Sequence, residues 1–330
     1  MKKIAFIGTG GTIASLGKTP LDILDYGANN MLIPGGDILA RIPELASIAH
    51  VFAVPFPSVP SPSIYFPQWQ ALAALCSTLV AEHPDLAGVV IGHGTATLEE
   101  TAYVLGLTIK IDIPVVLVGS QRPLSALGSD AHMNLLNAVR VAASPDSLGR
   151  GVLVVLNDEI HAAREVTKTA TVRLQTFRAP DFGMLGYVDG EFVAYYRRTE
   201  RTIAPNTEFD LTALAALPRV DISYSYAGAD GADIDAFAAA GAQGIISAGF
   251  APGMSTPAQA DAMARAHAAG VIIMQSSRAG SGVVHRSTRL RELGFLTTDN
   301  LNPQKARLLL ALALTKTRDP EEIARIFRTY

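Results

Sequence analysis

The sequence predicts two α/β domains with mainly parallel sheets, a larger N-terminal one and a smaller C-terminal one. Three features of the chain point there. Short Val- and Ile-rich runs, IAFIG (4–8), GVVIG (88–92), VVLVG (115–119) and VLVVL (152–156), alternate with helix-length segments, as strands buried on both faces of a parallel sheet do. The alternation breaks over YYRRTERTIAPNTEFDLT (195–212), a polar, charged stretch containing Pro205 and showing neither helical nor strand period. It resumes in VDISYSY (220–226), QGIISAG (243–249) and GVIIMQS (270–276), separated by alanine-rich helical segments. The expected division is residues 1–195, a linker at 196–212, and 213–330. A length of 330 residues agrees with two domains of about 150 residues each.

In chain order, the first strand empties into Gly8-Thr9-Gly10-Gly11-Thr12-Ile13-Ala14. That turn falls at the carboxyl end of a strand, where open α/β sheets bind ligands. A dinucleotide fingerprint needs a third glycine at position 13, which is Ile13. A Walker A loop ending in Gly17-Lys18-Thr19 needs a glycine at position 12, which is Thr12. Asp158, after VLVVLN, could play the magnesium-holding aspartate of such a site, so a P-loop NTPase stands as the weaker alternative class. Cys76, the single cysteine, lies in the apolar run ALAALCSTLV and reads as the buried face of a helix.

A second glycine-rich turn, Gly92-His93-Gly94-Thr95-Ala96-Thr97, again follows a buried strand. Thr97 and Glu100 have the spacing of a capping box for the helix LEETAYVLGL. Thr95 precedes the cap and faces the same sheet edge as Thr12, and His93 reads as a core histidine that orders the turn. A third segment, REVTKT (164–169), sets Lys168 among threonines after the strand VLVVL. A lysine desolvated in that crevice has a lowered pKa and can act as a base toward a hydroxyl. Near the end, Asn302 with Pro303 and Asp319 with Pro320 mark two helix starts.

Composition excludes several function classes. Lys plus Arg number 27 and Asp plus Glu 30, a net charge of −3, so no basic excess is available for nucleic acid. No apolar run approaches the roughly 18 residues of a membrane span. A lone cysteine rules out an internal disulfide framework. Seven scattered histidines make no zinc pattern. MKKIAFIGTGGTIAS runs straight into a glycine turn with no cleavage site, so it reads as a first strand and the expected compartment is the cytoplasm. Apolar residues make up 49% and charged residues 17%, against a usual charged share of about 25%. That excess of apolar surface suggests an oligomer.

TGGTIA (9–14), HGTATLEETA (93–102), REVTKT (164–169) and LNPQKAR (301–307) occur in this order. Together they resemble the bacterial-type L-asparaginase family over essentially the whole chain. The resemblance implies an amidohydrolase with a threonine nucleophile, no metal and no cofactor. It implies that Thr12 is the nucleophile, on a mobile lid after the first strand, and that Tyr26, in LDYGANN, closes over it. Thr95 and Lys168 match a second threonine and its lysine, and Ser61, in VPSPS, a serine that holds the substrate's α-carboxylate. The implied assembly is a homotetramer, a dimer of intimate dimers with sites between subunits.

The sequence also departs from that family. Ala96 stands where the family has an aspartate that grips the substrate's α-ammonium, and Pro62 where it typically has a glutamine touching the same group. Met254 replaces an asparagine that supports the neighbouring subunit's site. The segment 278–292 is short and basic where an acidic residue donated to that neighbour is expected. L-asparagine is therefore the substrate by family. A small carboxylate amide with an altered or absent α-amino group is the alternative, and a non-catalytic binding protein on the same scaffold is a third reading that ammonia release would separate.

Overall fold

A computed structural model describes residues 1–29 and 31–330, and the chain folds as two compact units, Met1–Ala213 and Leu214–Tyr330. In the first, β1 (Lys3–Gly8), β2 (His50–Val54), β3 (Leu86–Gly92), β4 (Val115–Val118) and β5 (Val152–Leu156) are parallel neighbours in the order β5-β4-β3-β1-β2. A two-residue turn at Asn157 and Asp158, both with positive φ (52° and 63°), reverses the chain into β6 (Glu159–Ala162). Positive φ at both central residues is the hairpin turn whose twist matches the strands. A small hairpin, β7 (Thr167–Lys168) with β8 (Phe177–Arg178), follows. The antiparallel strands β9 (Gly186–Asp189) and β10 (Phe192–Tyr195) complete the eight-stranded sheet beyond β6.

Alternation along the strands sorts the core onto two faces. Ile4, Phe6, Val116, Val118, Leu153 and Val155 pack with α1 (Gly35–Ala40) and α4 (Ala131–Ala143). Ala5, Ile7, Val89, Ile91, Leu117 and Val154 pack on the other face with α2 (Phe66–Glu82) and α3 (Leu98–Thr108). Cys76 is buried within α2, and burial pushes its thiol up to about 12. The segment 196–212 has no helix or strand, and it lies along the first unit. Ala204 joins the core on the α2 and α3 face of the sheet, and the Lys110 ammonium donates to Thr207 Oγ1 at 3.0 Å.

The strand order β2-β1-β3-β4-β5 has a reversal between β1 and β3. The helix after β1 covers one face and the helix after β3 covers the other, so the two loops part there and leave a crevice outside the strands' carboxyl ends. That is the switch point at which such sheets bind ligands.

The second unit is a four-stranded parallel sheet, β11 (Val220–Tyr224), β12 (Gly244–Gly249), β13 (Ile272–Ser277) and β14 (Leu296–Thr297), in that order. α5 (Ala232–Ala239) and α6 (Pro257–Ala268) pack through Ile234, Ala262, Met263 and Ala266 against Ile245 and Ile273. α7 (Thr288–Glu292) is a single turn and a half. α8 (Pro303–Ala313) and α9 (Pro320–Thr329) start where the sequence marks them. Asn302 accepts the Lys305 N–H at 3.1 Å, and Asp319 accepts that of Glu321 at 3.2 Å. Among the described residues no helix is long and apolar enough to cross a membrane.

Candidate active site

Beyond β1 the chain turns through Gly10 (φ 104°) and Gly11 (φ 83°) into one turn of 3-10 helix, Thr12–Ala14. Space as well as conformation demands glycine here. A Cβ on Gly11 would lie 2.2 Å from the Cα of Gly94, in the turn after β3, and a Cβ on Gly94 would lie 2.7 Å from Ser61 Cβ. Three loops therefore meet at the switch point, and the residue after each of the two close glycines is a threonine: Thr12 and Thr95.

The nucleotide readings fail on this geometry. The β1 turn leads into a single 3-10 turn and not into a long helix. Lys18 and Thr19 lie in an exposed turn, with Lys18 N–H bonded to Asp22 Oδ2 at 3.1 Å. Asp158 sits in the β5–β6 hairpin turn and accepts from Asn137 Nδ2 at 2.7 Å, so it is a turn residue.

Thr12 Oγ1 and Tyr26 Oη are 2.8 Å apart. Lys168 is carried by the β7–β8 hairpin, and its Nζ donates to Thr95 Oγ1 at 2.8 Å. Glu99, buried in the first turn of α3, accepts the Lys168 backbone N–H at 3.2 Å. Burial lowers the Lys168 pKa, and the Glu99 carboxylate partly opposes that shift. Two hydroxyls, each hydrogen-bonded to a titratable partner, thus stand on the two loops that the glycines press together. Such pairing is what an activated nucleophile requires.

Ser61 is buried at the start of a 3-10 turn (Ser61–Ser63), and its carbonyl accepts from Thr97 Oγ1 at 2.7 Å. This corrects the capping-box expectation: Thr97 is the N-cap of α3, but its side chain makes no cap hydrogen bond, because the hydroxyl is spent on tying α3 to the Ser61 loop. Pro62 and Ala96 are both exposed beside these anchors. Met254 closes a tight turn by bridging to Phe250, and the 278–292 segment pairs Val284 with Asp299 before Ser287 caps α7.

Sequence reasoning placed His93 in the core, but not its connections. Trp69 Nε1 donates to Thr101 Oγ1 at 2.9 Å, Thr101 Oγ1 lies 2.9 Å from His93 Nε2, and His93 Nδ1 lies 2.8 Å from the Gly94 carbonyl. All three side chains are buried. An indole only donates and a carbonyl only accepts, so the protons run one way. His93 carries its proton on Nδ1, accepts from Thr101 on Nε2, and holds Gly94 O. Burial depresses its pKa to about 4. Glu99 and Thr101 stand in LEETA, in the first turn of the helix that follows the His93–Thr95 turn, where a helix start returns side chains to the loop before it. Trp69, on α2, left no such local signal.

Known proteins resemble this chain over its whole length. Residues 3–201 match the family model for the N-terminal domain of asparaginase, and residues 219–327 match that of the glutaminase/asparaginase C-terminal domain. The chain belongs to the asparaginase family. It is an amidohydrolase by that membership. The family includes a probable periplasmic L-asparaginase of Haemophilus influenzae, 40% identical over 100% of this chain and 93% of that protein. A glutaminase-asparaginase of Pseudomonas fluorescens is 37% identical over 100% and 91%. The crystal structure of a probable cytoplasmic L-asparaginase from Campylobacter jejuni superposes with a TM-score of 0.95 at 38% identity, covering 100% of both chains.

The neutral, buried His93 has a consequence for stability. Its folded pKa of about 4 lies below the unfolded value of 6.5, so between the two the unfolded chain binds a proton that the folded chain does not. The contribution is whole above pH 6.5 and is lost as pH falls toward 4, by on the order of 3 kcal/mol. Urea melts of wild type and His93→Gln should show it. The variant, which keeps a donor and an acceptor without a titration, loses less stability across that window, and parallel pH dependences would contradict the assignment.

Proposed function

We propose that the protein hydrolyses the side-chain amide of L-asparagine to aspartate and ammonia through an acyl-enzyme on Thr12. The observation that carries this reading is the pair of hydroxyl contacts, Thr12–Tyr26 and Lys168–Thr95, on loops in backbone contact at the β1/β3 switch point. An amide carbon resists water, and a positioned hydroxyl splits the reaction into two easier steps. Thr12 Oγ1 bonds to the amide carbon as its proton passes to Tyr26 Oη, which gives up its own proton to solvent. Backbone N–H groups from Gly94 to Ala96 stabilise the oxyanion. The carbon–nitrogen bond then breaks, and nitrogen leaves as ammonia with a proton supplied from the Thr95–Lys168 side. Water then cleaves the ester: one of its protons returns through Thr95 to Lys168, the other restores the Thr12 hydroxyl, and the product leaves as the carboxylate. Ser61 holds the α-carboxylate. The names of the relatives, L-asparaginase and glutaminase-asparaginase, support this substrate class. The same reading makes the protein a homotetramer, supported by its high apolar share. It works in the cytoplasm, as the name of the Campylobacter jejuni protein has it, although the Haemophilus influenzae relative is named periplasmic.

Ala96 and Pro62 favour a second reading. Neither side chain can accept a hydrogen bond from an ammonium, so the favoured substrate would be a small carboxylate amide whose α-amino group is altered or absent. An ammonia-release screen over small amides with and without that group decides between the two.

Thr12→Ala and Lys168→Met should each lower ammonia release by several orders of magnitude with the fold retained. The double variant should be little worse than the poorer single one, since groups that act as a unit are not additive. Near-wild-type turnover by either variant would defeat the mechanism. Under the second reading, Ala96→Asp should shift preference toward L-asparagine over its deaminated analogue by about 10- to 100-fold, as one charge-assisted hydrogen bond allows. An unchanged ratio would show that the ammonium is read elsewhere.

A further inference from the structure

Among the described residues, the segment that carries Tyr26 buries little apolar surface. It leaves β1's turn and returns at the Ser15–Leu32 bridge. In between, Lys18, Thr19 and Pro20 are exposed, and Leu21 and Leu24 are 77% and 73% exposed, so apolar burial contributes little to its closed position. Three hydrogen bonds tie it to the loop after β4. Gly17 N–H donates to Ser125 Oγ at 2.8 Å, Leu127 N–H to Pro20 O at 2.8 Å, and Leu124 N–H to Ser15 O at 3.1 Å. Of these, the Ser125 contact is the one made by a side chain.

The loop on the receiving side is itself fastened. Asp130 accepts the N–H groups of Gln121 and Arg122, each at 2.9 Å, one on each carboxylate oxygen. Asn134 Nδ2 donates to Asp130 Oδ2 and to Gly119 O, both at 3.0 Å, and Arg122 donates to Gly128 O at 2.7 Å. From Gly17 the order passes along the lid. Lys18 N–H bonds Asp22 Oδ2 and Asp25 N–H bonds Asp22 Oδ1, both at 3.1 Å. The next residue is Tyr26, 2.8 Å from Thr12. Gly17 cannot be replaced by a bulkier anchor, because a Cβ there would lie 2.8 Å from Asp22 O.

We propose that Ser125 is a positioning residue for the Thr12–Tyr26 pair: its hydroxyl latches the Tyr26-bearing lid, through the Gly17 amide, to the Asp130-braced loop. The proposal rests on the amidase reading for its kinetic consequence, and its structural part can be read without it. Segments with few buried contacts open at low free energy, and proteolysis of an opening segment tracks its open population when closing is fast. Lys18 is the one Lys or Arg between Lys3 and Arg41, so tryptic cutting at Lys18–Thr19 reports lid opening at a single bond.

The test compares wild type, Ser125→Ala and Ser125→Thr at a temperature well below unfolding, following first-bond cutting and the kcat and KM of ammonia release. Losing one hydrogen bond should raise cutting at Lys18–Thr19 by about 3- to 10-fold. It should also lower kcat by about 2- to 3-fold with little change in KM, because a closed lid without the latch orients Tyr26 toward Thr12 less strictly, and Ser125→Thr should restore both. A merely structural role would raise cutting at many bonds and leave the kcat of the folded fraction unchanged. Unchanged cutting in Ser125→Ala overturns the latch. Raised cutting with unchanged kcat overturns the positioning role. Raised cutting in a protein that releases ammonia from no amide tested upholds the latch and overturns the amidase reading alone.

Discussion

The backbone contact between Gly11 and Gly94 holds the site together. These turns leave adjacent strands, β1 and β3, on opposite sides of the strand-order reversal, and their helices run to opposite faces of the sheet. Left to diverge, the loops would carry Thr12 and Thr95 apart. With a would-be Cβ on Gly11 only 2.2 Å from Gly94 Cα, the two backbones touch instead, and the hydroxyl following each glycine is held at a fixed place on a shared wall. Positioning of this kind is how rigid elements supply catalytic precision.

Around that contact, burial is put to two different uses. At Lys168 it lowers the cost of losing a proton, while the Glu99 carboxylate restrains the shift. At His93 it removes the charge altogether and leaves a neutral ring whose proton is committed to Gly94 O by the Trp69–Thr101 chain. The first group keeps a proton it can exchange. The second becomes scaffolding, and it fixes the same turn from which Thr95 projects. A fully satisfied buried chain rigidifies its surroundings, whereas one missing member leaves several orphaned groups.

Much of the fold was legible because buried parallel strands are largely apolar runs, which map onto β1, β3, β4, β5, β12 and β13, while the mixed VDISY of β11 was legible from the alternation resuming there. The strands that escaped notice are short or carry mixed polarity. β2 is HVFAV at the sheet's edge, β6 is the four residues EIHA, and β14 is two residues long. The site was legible where its chemistry is local, in the glycine turns and in the run containing Lys168. It was illegible where a contact spans the chain. Thr97 has the spacing of a cap yet bonds Ser61 O, 36 residues away, and Gly17 meets Ser125 across 108 residues. Asp158 misled because an aspartate after a strand reads alike whether it faces a metal or forms a hairpin turn.

If contact between the two glycine turns assembles the site, parting them should abolish turnover without unfolding the chain. Ammonia release by Gly11→Ala, with the fold followed by circular dichroism and urea melting, puts this to the test. The added methyl cannot fit without parting the turns, and Gly11 also holds φ 83° with ψ −172°, a region essentially restricted to glycine that costs another residue about 1–3 kcal/mol. A folded protein with turnover reduced at least ~100-fold is expected, as a misplacement of about 1 Å can produce. Wild-type turnover in a folded Gly11→Ala protein would show that the site does not depend on this contact.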